Sequence, residues 1–197
     1  MAITINGSGT ITGASTLATA VVSPTLTTPI VTTTIGVGNA TPANTGSGVS
    51  FPATQSASSD ANTLDDYEEG TWTPSFAGGT FTYAVRNGTY TKIGNQVTVN
   101  LFINTNSVSG TAGNAVTITG LPFSLSSTMR VPVPIFGDSW NTANPLYANV
   151  DGISTPTTIN LYKSKSAAGN GTAITVGDMQ TLAGGYNQTY ITLTYLI

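Results

Sequence analysis

Residues 96–104, Gln96-Val97-Thr98-Val99-Asn100-Leu101-Phe102-Ile103-Asn104, decide the fold class. Val97, Val99, Leu101 and Ile103 share one face of an extended chain while Thr98 and Asn100 lie on the other, the two-residue period of a strand buried on one side. Upstream, residues 80–86 lead into Asn87-Gly88. That dipeptide suits a type I′ hairpin, because both central residues need positive φ. Residues 89–93 then return, and Gly94-Asn95 suits a type II′ turn into 96–104, so the spacing predicts a three-stranded meander. Further strands are expected over 115–119, 131–136, 146–150, 157–163, 173–176 and 188–197. The last of these places Ile191, Leu193, Tyr195 and Ile197 on one face. Short strands separated by Gly or Pro predict an all-β fold with an antiparallel, jelly-roll-like β-sandwich. The only helix expected is a single turn within 60–69.

Working outward from this region, the chain changes character near residue 60. Residues 1–59 carry no charged side chain and one aromatic, Phe51, whereas every charge, both tryptophans and all tyrosines follow. We therefore divide the chain into an extended arm (1–62), a junction (63–79) and a sandwich knob (80–197). In the arm, pairs such as Val21-Val22 and Ile30-Val31 are scattered among Thr, Ser, Gly and Pro, and Pro24, Pro29 and Pro42 forbid a long helix. Its apolar side chains are too few to offset the entropy of ordering its backbone. The arm is expected to order only against other chains, as a clamp or an intertwined stalk; the alternative is a low-complexity linker.

Composition excludes much chemistry. The chain of 197 residues has no histidine and no cysteine, so imidazole acid–base catalysis, Cys-His nucleophiles and thiolate metal sites are ruled out. No enzyme activity and no cofactor are expected. Only 7% of residues are charged, five basic against eight acidic for a net charge of −3, where ordinary soluble domains have roughly 25%. The scattered bases Arg86, Lys92, Arg130, Lys163 and Lys165 form no phosphate-binding stripe, so nucleic acid is not an expected partner. No apolar run suits membrane insertion and no basic leader opens the chain, which leads us to expect synthesis in a cytoplasm.

The remaining candidates are modest. Asp138, Asp151 and Asp178 each adjoin Gly or Ser and read as turn-stabilising aspartates. Asp65-Asp66-Tyr67-Glu68-Glu69 reads as a solvated charged turn, with calcium binding as the alternative. Trp140, flanked by Asp138 and Asn141, is a candidate glycan contact in which the ring stacks on a sugar and the polar neighbours bond its hydroxyls; the competing reading is a buried structural ring. Lys163-Ser164 is no catalytic dyad, since strand neighbours point to opposite faces.

Three phrases carry a resemblance. The first is Val49-Ser50-Phe51-Pro52-Ala53-Thr54-Gln55 followed by Asn62-Thr63-Leu64-Asp65-Asp66-Tyr67-Glu68-Glu69-Gly70-Thr71-Trp72-Thr73-Pro74. The others are Gly88-Thr89-Tyr90-Thr91-Lys92-Ile93-Gly94-Asn95 and Ile118-Thr119-Gly120-Leu121-Pro122-Phe123. In this order they resemble tail-fibre and other virion structural proteins of tailed bacteriophages, notably those of cyanobacteria and marine bacteria. The Thr/Pro-rich run with Ser23-Pro24-Thr25-Leu26-Thr27-Thr28-Pro29 is also similar to the leaders of these proteins, so the resemblance covers the arm, the junction and the first third of the β domain and ends near residue 125. It implies a homotrimer on the virion surface, assembled in the host cytoplasm. Two roles are expected: a capsid decoration (cement) protein whose arm clamps the major capsid protein, or a short fibre recognising a host surface glycan. The shortness of the chain and its lack of a repeated shaft favour decoration. Tyr67, Trp72 and Pro74 are expected to join arm to knob, two rings pinning the junction and the proline setting the entry direction.

Overall fold

The structure is a computed structural model that describes residues 34–37, 40–42, 45–54, 58–59, 62–165 and 171–197. Among these, β1 (Thr34–Gly36) and β2 (Gly48–Ser50) form a small parallel pair of their own. Most of the expected arm, residues 1–33, lies outside the described residues.

Two antiparallel sheets make up the knob. The five-stranded sheet contains β3 (Tyr67–Trp72), β5 (Thr80–Ile93), β6 (Gln96–Ser109), β9 (Ile135–Asp138) and β13 (Tyr186–Leu196), in the order β3-β5-β6-β13-β9. The second contains β4 (Ser75–Ala77), β7 (Thr117–Thr119), β8 (Arg130–Val133), β10 (Tyr147–Asp151), β11 (Thr155–Lys165) and β12 (Gly171–Ala173). Its order is β4-β7-β11-β10-β8, with β12 also against β11. Val97, Val99, Leu101 and Ile103 of β6 and Ile191, Leu193 and Tyr195 of β13 are buried as the alternation requires. They share one apolar cluster with Ile118, Val150, Ile159 and Leu161 from the facing sheet, so the architecture is all-β and the core lies between two sheets. A single turn of 3-10 helix covers Val176–Asp178.

Gly94-Asn95 makes the tight turn expected of it: Gly94 has φ 56°, and Ile93 pairs with Gln96. Asn87-Gly88 does not turn. β5 runs straight through, pairing Asn87 with Phe102 and Gly88 with Leu101. Glycine is required at 88 for another reason. A Cβ there would lie 2.5 Å from Trp72 Nε1 of β3, so the residue makes room for an indole rather than for a hairpin.

The third neighbour in that part of the sheet is β3, built from the acidic stretch read as a charged turn; Glu68 and Glu69 are strand residues and no helical turn forms over the described part of 60–69. The sandwich therefore takes in residues 67–77, which the sequence division had left in the junction. The single strand expected over 131–136 is two strands, β8 and β9, in different sheets. Pro134 sits between them and interrupts the ladder where the chain crosses. Pro74 does the same between β3 and β4.

The core assignment predicts that Leu193→Ala lowers stability by about 2–5 kcal/mol. In urea titrations the midpoint should fall with the slope unchanged.

Candidate interaction face

The outward face of the five-stranded sheet follows from register. Asn87, Phe102, Tyr190 and Phe136 are successive cross-strand partners on β5, β6, β13 and β9. In the next row Thr71, Thr89, Asn100 and Thr192 line up, and beyond it Glu69, Thr91, Thr98 and Thr194. Because their in-strand neighbours form the core, these residues must point outward. Two neighbouring pairs close on each other: Thr192 Oγ1 donates to Asn100 Oδ1 at 2.7 Å, and the Thr98 and Thr194 hydroxyls are 2.9 Å apart. Such bonds tie neighbouring strands across a face whose charges are Glu69 on β3 and Asp138 at the end of β9.

Across this face runs an aromatic row. The Phe102 and Tyr190 rings stack at 4.4 Å with an 11° interplanar angle, and Phe136 lies 6.0 Å from Tyr190. Phe136 is 63% exposed and Tyr190 40%. Beside the row, Asn100, Pro134, Phe136, Tyr190 and Thr192 line a shallow groove of about 480 Å³. Exposed rings alongside neutral hydrogen-bonding groups are what a protein partner or a sugar surface needs.

The residues singled out from sequence fall elsewhere. Trp140 is 8% exposed, its ring edge-on to Phe76 at 5.8 Å and its indole N–H donating to Gln188 O at 3.2 Å. Both faces are covered, so sugar stacking on Trp140, with Asp138 and Asn141 beside it, is not served by this geometry; the buried structural ring is what the fold builds. Asp138 is exposed at the end of β9, and Asn141 uses its backbone N–H to bond Asp178 O at 2.9 Å. At the junction, the Tyr67 ring lies 6.5 Å from Phe51, and its hydroxyl donates to Glu69 at 2.8 Å, which raises its pKa. Trp72 is buried and donates to Thr89 O at 3.2 Å, and Pro74 is buried at the sheet crossing.

Two acidic residues do more than stabilise turns. Asp66, from the supposed solvated cluster, is buried against Lys92. Asp178 receives Lys163 Nζ on both oxygens at 2.7 Å, and the Thr142 hydroxyl, Thr175 hydroxyl and Thr175 N–H at 2.8 Å. It thereby ties β11, the loop after β9 and the 3-10 turn together. Asp151 does match its turn role, accepting from Ile153 N at 3.0 Å. Among the described residues no cluster of three or more acids could hold a metal ion.

Burial opposes ionisation of Asp178, but the hydrogen bonds from Lys163, Thr175 and Thr142 outweigh it and hold the pKa at about 2, below the ordinary 3.8. A carboxyl depressed on folding stabilises fully above its unfolded value and loses that contribution as pH falls through the folded one. Stability should therefore decline from about pH 4 towards pH 2. Asp178→Asn should be less stable at neutral pH and lose part of that acid dependence, read from urea unfolding across the same range.

No protein-family model matches this chain, no curated protein matches it, and no solved structure matches its fold.

Proposed function

We propose that the chain is a structural protein of a tailed bacteriophage virion, a trimeric capsid decoration protein whose N-terminal arm clamps capsid subunits. The observation that carries this reading is the outward face of the five-stranded sheet: sparsely charged and crossed by Phe102, Tyr190 and Phe136. Such a face offers apolar area and satisfied polar groups to a neighbouring subunit without the cost of desolvating charge. It supports the trimer and virion partners expected from the resemblance. Of the finer expectations, threefold association and a jelly-roll-like arrangement both belong to the proposal; the repeated passage of the chain between sheets, as at β3–β4, β6–β7 and β8–β9, supports the second.

The same row favours the second reading, a short fibre that recognises host glycan. Exposed rings stack on the C–H faces of sugars, and Asn100, Thr192 and Asn87 stand ready to bond hydroxyls. The role first assigned to Trp140 passes in that case to Tyr190 and Phe136.

Location on the particle tests both. Gold-labelled antibody against the knob should mark phage heads; label confined to tails would replace the first reading with the second, and unlabelled particles would end both. Sedimentation at micromolar concentration should give a trimer. A Phe136→Ser variant should dissociate to monomers while keeping a folded protomer, read from its circular-dichroism spectrum, because that ring is 63% exposed within the protomer. A monomeric wild type would remove the threefold part of the proposal.

A further inference from the structure

In a chain with so few charges, one complete ion pair is placed inside the knob. The side chains of Lys92 and Asp66 are 4% and 6% exposed and in direct contact. Lys92 projects inward from β5, with its Nζ 5.8 Å from the centre of the Phe123 ring, and Tyr90 packs edge-on to that same ring at 5.3 Å. Asp66 immediately precedes the edge strand β3 and is anchored by its carbonyl, which accepts from Gly94 N at 3.1 Å. Glu68 stands directly opposite Lys92 in the β3–β5 register and accepts from the Tyr90 hydroxyl at 2.5 Å.

Taking two full charges out of water is costly, and the mutual attraction of the pair often fails to repay it. An amine and a carboxyl group are a nucleophile and an electrophile, held here in contact between two strands with water largely excluded. Rigid approximation of this kind removes much of the entropic barrier to a bond between them.

We propose that Lys92 and Asp66 condense to an intramolecular isopeptide bond. The Lys92 Nζ lone pair attacks Asp66 Cγ, forming the N–C bond, and one Cγ–O bond breaks. Two protons of the original ammonium leave with the departing oxygen as water, so an ammonium and a carboxylate become a neutral amide and no oxidant or external donor is needed.

The bond would staple the edge strand β3 to β5 where the chain enters the knob. Without it, a pull on the residues before Asp66 opens the β3–β5 ladder one hydrogen bond at a time. With it, the load passes along a covalent path. The inference is independent of the virion reading.

Mass spectrometry of the purified full-length chain tests it. Trypsin cleaves after Lys and Arg, so an unlinked chain releases 1–86, 87–92 and 93–130 as separate peptides. A linked chain resists cleavage at Lys92 and yields 87–130 joined to 1–86, lighter by one water than the sum of the two. The Lys92→Arg variant should show the full mass, no branched peptide and a lower melting temperature. Folded wild-type protein that releases peptide 87–92 quantitatively would overturn the proposal, whatever the variant does.

Discussion

Two sheets, each apolar on one side, can leave water only by facing one another, and the rest of the molecule is arranged around that contact. β6 and β13 are central in the five-stranded sheet and supply Val97, Val99, Leu101, Ile103, Ile191 and Leu193 to the interior. Ile118, Val150, Ile159 and Leu161 meet them from the other sheet. Once these side chains point inward, the period of two sends their neighbours outward. The row of Phe102, Tyr190 and Phe136 is thus a direct consequence of core packing, since each ring is one position away from a residue that turns inward.

The few charges are placed as structural ties. Lys92 joins Asp66 between the entry and β5, Lys163 joins Asp178 between β11 and the 3-10 turn, and Arg130 lies 3.2 Å from Asp151 across β8 and β10. Arg86 donates to Ser75 at 2.9 Å and lies over the Tyr83 ring. With these four cations occupied in this way, threonine and asparagine make up most of the broad sheet face. Such a surface repels neighbours weakly.

Local patterns were legible in the sequence where local physics decided the outcome. Alternation in 96–104 and 188–197 and the tight turn at Gly94-Asn95 concern neighbours along the chain, and the fold keeps them. Asn87-Gly88 misled because the glycine answers to Trp72, a residue on another strand. The acidic stretch misled in the same way: Asp66 is neutralised by a lysine 26 positions on, and Glu68 and Glu69 pair across to β5. Trp140 drew attention as a lone large ring in a polar loop, yet Phe76 and Gln188, both far away in sequence, cover it.

By itself, then, the sequence determined the class of structure, the neutral character of the exterior and, through the lack of histidine and cysteine, the chemistry closed to this chain. Only the tertiary structure decided which strands adjoin, that Pro74 and Pro134 mark crossings between sheets, and that three rings from three separated strands form one row. The reason is physical. Alternating side chains specify which side of a strand is buried, but backbone hydrogen bonds are the same for every partner, so which strand lies beside which is settled only when the whole core packs.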